Sequence, residues 1–303
     1  PNFSKLCFEC GQLPSSSNAM RTILLVSALT TLILLAPVTA TLQAGEPAVE
    51  RLTQDGLFKQ RPVWSPDGKW LCFARHKGAT IFLYLRSADG KTEKRLTDRT
   101  DPEYDAQFSP DGKRLAFTFD KTSPNQGDLE VYSIGVDGKD LQPVAVNDKL
   151  SHEEYPSWSP DGQWIAFSST RDGNQEIYIV RPDGKDMRRL TNHAALDEHP
   201  AWSPDGKKIA FATNRWGDYE LAVYDLAAET VTRLTESKGL DDYPAWSADG
   251  KTIAFTSNRT GNLEIFTIHA DGSHPRNFTQ NPAIDTFPSW RAEGRLKAIS
   301  HRG

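Results

Sequence analysis

The chain has 303 residues and a formal net charge of -5, with 38% hydrophobic and 25% charged residues. This is the balance of a soluble globular chain, and the acidic excess argues against a nucleic-acid binder organised around a basic face. There are eight Trp and only two Met, and most of the Trp belong to a repeat.

Residues 1–19 precede a start at Met20 and are read as an extension outside the fold. Met20-Arg21 leads into an apolar run from Ile23 to Ala36, closed by Pro37 and the small residues Val38-Thr39-Ala40. That order is the grammar of a secretory signal peptide, so residues 20–40 are expected to be removed. The run falls short of the roughly 20 residues a membrane-spanning helix needs, and no span is expected after cleavage. Cys7 and Cys10 form a C-x-x-C upstream of the expected start, so no redox or metal role is given to them. Cys72 takes the slot held by Ala116, Ala166, Ala210 and Ala254 and is read as a small core residue.

The remaining chain, 41–303, is a repeat. Its anchoring aromatics are Trp64, Phe108, Trp158, Trp202, Trp246 and Trp290, spaced 44, 50, 44, 44 and 44 residues apart. The longer interval holds the insertion Lys121-Thr122-Ser123-Pro124-Asn125-Gln126. The third copy shows four short strands, called a to d. Pro156–Trp158 is followed by the turn Ser159-Pro160-Asp161-Gly162, then Trp164–Ser168, Glu176–Val180, the turn Pro182-Asp183-Gly184, and Arg189–Thr191. β-Branched and aromatic residues fill the strands, and Gly, Pro and Asp fill the turns. Four short strands per unit of this length predict an all-β fold, a six-bladed β-propeller. The span from Val49 to the C-terminus is 15 residues short of six full units. The last blade is therefore expected to take strands c and d from the N-terminus, with Thr41-Leu42-Gln43 and Leu52-Thr53 in those places.

The text Trp202-Ser203-Pro204-Asp205-Gly206-Lys207, then Ile209-Ala210-Phe211, then Arg233-Leu234-Thr235, resembles the WD40-like repeat of the TolB propeller family. The resemblance covers roughly 45–303, with the last copy drifted to Arg291-Ala292-Glu293-Gly294-Arg295. It implies a propeller that binds a peptidoglycan-associated lipoprotein. The α/β domain that precedes the propeller in the best-known member has no counterpart in these residues. The same repeat is found in propellers of prolyl oligopeptidase-like peptidases and of an oligogalacturonate lyase family.

In a propeller the d–a and b–c loops share one face, and here they vary more than the a–b and c–d turns. Three residues before the Pro of each repeat stand Lys59, Glu103, Glu153, Asp197, Asp241 and Asp285. In the second copy Ala106 holds the Pro position. The five carboxylates are expected to ring one mouth of the central channel. There they would attract a basic group or a divalent cation, or else pair within the blades. His199 lies in the same segment, and Trp216 projects from a b–c loop as a contact anchor. Arg171, Arg215 and Arg259 recur in the b–c loops, where an intra-blade ion pair is expected. No nucleophile elbow, zinc-protease motif, phosphate loop or dinucleotide fingerprint occurs. The expected function is a binding module, secreted to the periplasm or beyond and monomeric, with an envelope protein or glycan as partner. The alternative is a metal-assisted polysaccharide lyase or hydrolase at the mouth, which needs a divalent cation there. No other cofactor is expected.

Overall fold

In the computed structural model two units are distinguished, residues 1–50 and 51–303, and the described residues all belong to the second. They are 59–78, 80–120, 129–146, 151–280, 282–291 and 293–301. The extension, the signal peptide, the insertion after Asp120 and the expected N-terminal closing strands lie outside them.

The described residues form strands and turns without a helix, so none is long and apolar enough to cross a membrane. Strands β1 to β4 (Lys59–Trp64, Trp70–Lys77, Thr80–Ser87, Glu93–Arg95) make the first sheet. β5 to β8 (Glu103–Phe108, Arg114–Asp120, Leu129–Gly135, Gln142–Ala145) make the second. β9 to β12 (Glu153–Trp158, Ile165–Ser169, Glu176–Val180, Arg188–Arg189) make the third. β13 to β16 (Asp197–Trp202, Lys208–Thr213, Glu220–Asp225, Thr230–Arg233) and β17 to β20 (Asp241–Trp246, Thr252–Ser257, Glu264–His269, Arg276–Asn277) make the fourth and fifth. β21 and β22 (Ile284–Trp290, Leu296–His301) form a two-stranded sheet. The fold is thus an all-β propeller with five complete blades, not the six expected, and a sixth unit described by strands a and b alone. β1 packs beside β21, which brings the first and last units together.

The core lies between the blades. Ile177 and Ile179 of the third blade pack with Ile209, Phe211 and Tyr224 of the fourth, and the other consecutive pairs from the first unit to the sixth follow the same scheme. Strand b is therefore covered on both faces, and Ile165 to Ser169 are all buried.

The Ser-Pro-Asp-Gly turn is a small hydrogen-bonded unit. The Ser159 hydroxyl donates to Asp161 Oδ1 at 2.5 Å and accepts from the Trp164 amide at 2.9 Å. The Gln163 amide reaches the same Asp161 oxygen at 3.0 Å. Ser65, Ser109, Ser203 and Ser247 repeat the pattern. The Ser159 hydroxyl and then the Gln163 amide hold Asp161 below the usual carboxylate range. Gly206 has φ +69°, and a Cβ there would meet Cγ of Pro160, one blade back, at 3.3 Å. The same Gly-on-Pro contact joins the second, third, fourth and fifth blades to their predecessors. Ala248 replaces the Pro in the fifth blade, and Gly294 faces open space. Between the last and first units Arg291 takes over, donating to the Gly68 carbonyl at 3.1 Å with its guanidinium 4.3 Å from the Trp64 ring centre.

Two buried polar networks tie the strands of the third and fourth blades, and the fifth shares one of them. Glu176, which opens strand c, accepts from Thr191 Oγ1 at 2.6 Å and pairs with Arg189 at 3.0 Å. Glu220 does the same with Thr235 and Arg233, which explains the recurring Arg-Leu-Thr. The b–c loop arginines reach the other way, to the carboxylate that opens strand a. Arg171 meets Glu153 at 3.1 Å, Arg259 meets Asp241 at 2.6 Å, and Arg215 pairs with Asp197. Removing one member of a buried pair strands the other charge, so Arg259→Met is expected to cost about 3 kcal/mol. Urea unfolding should show this loss, and Arg259→Met with Asp241→Leu should recover most of it.

Candidate functional site

Every strand a carries a β-bulge at the same place. In β13, Glu198 is opposite Ala212 and Ala201 is opposite Ala210, so His199 and Pro200 together face one residue. The other five strands shift register at the equivalent point. The first residue of each bulge has positive φ: Arg61, Asp105, Tyr155, His199, Tyr243 and Phe287, between 52° and 58°. Side-chain-bearing residues rarely visit this region, and bulges of this kind re-aim a side chain. A proline follows five of the six, and a bulge accommodates its missing N–H.

The six re-aimed side chains meet across the channel. The rings of Tyr155 and His199 lie 4.0 Å apart, those of His199 and Tyr243 4.1 Å, and those of Tyr243 and Phe287 4.6 Å. Arg61 sets its guanidinium over Tyr155 at 4.5 Å, Tyr243 at 5.3 Å and Phe287 at 5.4 Å, and pairs with Asp105. Burial opposes the charge on Arg61, but Tyr155, Tyr243 and Glu154 outweigh it and raise its pKa. Burial raises the Tyr155 hydroxyl as well, against the pull of Arg61. These residues form a waist in the channel.

On the turn side of the waist lies a cavity of about 360 Å³. Its walls include the prolines after the bulges and the anchoring aromatics Trp64, Phe108, Trp202, Trp246 and Trp290. Two of its polar wall groups are engaged between blades: Gln107 accepts from the Trp158 amide, and Ser157 from the Trp202 amide.

On the loop side lie the residues just before the bulge. Three successive blades place Glu154, Glu198 and Asp242 there. Glu154 and Asp242 are buried and Glu198 half-buried. Among the described residues none of the three pairs with a lysine or arginine. Asp242 Oδ1 lies 2.5 Å from His199 Nδ1, and Glu154 lies 3.9 Å from His152. An ionised Asp242 can only accept, so Nδ1 carries the proton of this pair. Nε2 has no hydrogen-bond partner among the described residues. Burial raises the carboxyls of Glu154 and Glu198, with His152 and then Arg61 opposing at Glu154 and His199 opposing at Glu198.

The five expected ring carboxylates lie at or near the start of strand a in the second to sixth units, and each is buried. Glu103, Glu153, Asp197 and Asp241 are fully buried and Asp285 is 1% exposed. Glu153, Asp197 and Asp241 turn into their own blades to meet the loop arginines, and Glu103 is held by Thr97 Oγ1 at 2.6 Å. The intra-blade ion pairs expected of Arg171, Arg215 and Arg259 are thus made with these three carboxylates. His199 is brought into the waist. Trp216 is 41% exposed, with Arg233 of its own blade 5.1 Å from its ring. Val146 and Ile284 are also exposed. Val146 follows strand d of the second blade and Ile284 opens strand a of the sixth unit, both at the same end of their blades as Trp216. Among the described residues no group of three or more His, Cys, Asp and Glu is set to hold a metal ion.

Sequence reasoning missed Glu154, Glu198 and Asp242, and the waist. The signal was the acidic doublets Glu153-Glu154, Asp197-Glu198 and Asp241-Asp242, because successive residues of a strand face opposite ways. The first member enters the blade and the second faces the channel.

With this geometry in place, the likeness to known proteins is informative. A family model, PD40, the TolB beta propeller domain, matches residues 146–235 and 218–303. An uncharacterised protein of Agrobacterium fabrum is 32% identical over 135 residues, 43% of this chain and 42% of that protein. The Tol-Pal system protein TolB of Francisella tularensis is 30% identical over 125 residues, 41% of this chain and 27% of that protein. The match thus spans less than half of each of these two relatives. The crystal structure of TolB from Acinetobacter baumannii superposes with a TM-score of 0.69 at 23% identity, over 78% of this chain and 58% of that one, which bears on the fold alone. With the family model covering more than half of its length, the chain belongs to the TolB β-propeller domain family.

Proposed function

We propose that this propeller is a protein-binding module of the cell envelope, working in the periplasm, and that its loop end receives the partner. The observation that carries this reading is the cluster of Glu154, Glu198 and Asp242 at the channel mouth, with histidines beside Asp242 and Glu154 but no lysine or arginine pair among the described residues. Carboxylates left uncompensated at a partly buried site attract a basic group from outside. Trp216, Val146 and Ile284 add exposed apolar contacts at the same end. The family supplies the candidate partner, a peptidoglycan-associated lipoprotein, and the signal-peptide grammar supports export. Closure of a six-bladed ring by the N-terminal strands belongs to the same proposal.

Two measurements test it. Affinity capture from envelope extract, followed by titration of the purified lipoprotein of the same organism, should give a complex with the unmodified protein. E154Q/E198Q/D242N is expected to weaken it by at least about tenfold, as loss of desolvated charge pairs does. Equal affinity for both proteins, or no envelope partner at all, would overturn the reading.

The second measurement is stability. A carboxyl whose folded pKa is raised loses stability as pH climbs from its unfolded to its folded value. E154Q/E198Q should therefore melt higher than the unmodified protein at pH 7. The gap should shrink as pH falls toward the ordinary glutamate range, about 4, and close below it, where both states are protonated. A variant that binds worse and melts higher is the signature of a site kept for binding at a cost in stability.

A further inference from the structure

The waist contains one cation, and everything around it is suited to a cation. Arg61 comes from the first blade. The rings over which it lies come from the third, fifth and sixth, and its carboxylate partner comes from the second. All three ring centres are within the roughly 6 Å over which a guanidinium is held by an aromatic face. Arg61 Nη2 also reaches Tyr243 Oη at 3.4 Å. Asp105 is buried and further held by Thr118 Oγ1 at 3.3 Å. The equivalent positions of the other five units hold an acid, two tyrosines, a phenylalanine and a histidine.

We infer that the waist is a guanidinium site that the chain fills with its own Arg61. Arg61 acts as an internal ligand: it neutralises Asp105, occupies the aromatic cage and closes the channel between the loop mouth and the turn-side cavity. A basic side chain entering from the mouth meets Glu154, Glu198 and Asp242 but stops at the waist, because the cage is taken. The cage stands on its own geometry, and only its meaning for a partner rests on the reading of the loop end as a binding mouth.

Chemical rescue tests this without any partner. Arg61→Ala leaves Asp105 unpaired and the cage empty, so the melting temperature should fall. Millimolar methylguanidinium chloride should then raise the variant's melting temperature by about 3 °C, the size expected for a ligand well above its dissociation constant. It should leave the unmodified protein unchanged, and equal sodium chloride should do nothing to either. Absence of a rise specific to the variant would overturn the inference. Should Arg61→Ala fail to fold, NMR of the unmodified protein decides. Stacked between rings, the Arg61 δ-protons must shift upfield, and a free-arginine shift would overturn the cage. Failed rescue alongside intact partner capture removes the cage alone, whereas rescue without partner capture removes the mouth alone.

Discussion

Everything of interest in this channel depends on the extra residue in each innermost strand. Without the bulge, strand a would alternate regularly, and the residue before the proline would face into or away from the blade like its neighbours. With it, positive φ swings six side chains toward the axis. Such backbone costs of order 1 kcal/mol or more per residue and persists only where surrounding structure enforces it. Here the enforcing structure is the sheet on either side of the bulge and the contacts the six side chains make with one another.

The architecture was legible because it is written several times. The Ser-Pro-Asp-Gly turns, the Arg-Leu-Thr ends of strand d and the b–c arginines each recur, and each proves to be a local device. The turn satisfies its own amides. The Thr and Arg hold the glutamate of strand c. The loop arginine neutralises the acid that opens strand a. Strand a itself was read too short, at Pro156 instead of Glu153, because a proline is an ordinary strand boundary. The sheet runs through it, since the bulge removes the need for its N–H.

The candidate site was harder to see for the same reason. Recurring charge points to Glu153, Asp197 and Asp241, and recurrence is what a structural role produces: the third, fourth and fifth blades each hold the same internal pair. The neighbouring positions vary more around the ring, although three of those just before the bulge are acids. Just before the bulge the six units carry Gln60, Tyr104, Glu154, Glu198, Asp242 and Thr286, and at the bulge Arg61, Asp105, Tyr155, His199, Tyr243 and Phe287. Only the strand register assigns these two sets to the channel, and a register that slips by one residue at a bulge cannot be counted from spacing alone.

In a ring of near-identical units, then, shared residues build the blade and unlike residues at shared positions build the site. The ring's closing junction obeys the same division. Four junctions use one device, the glycine of a turn seated against the preceding blade's proline. Where Ala292 stands in place of that proline, the chain substitutes a guanidinium, and Arg291 grips both the Gly68 carbonyl and the Trp64 ring. A drifted copy of the motif thus marks a change of mechanism at the one place where the ring meets itself. The waist carries the logic further, because its single arginine also comes from the unit at that junction. Arg61 spans from the first blade to side chains of the second, third, fifth and sixth, which ties the ring across its centre as Arg291 ties it at its rim.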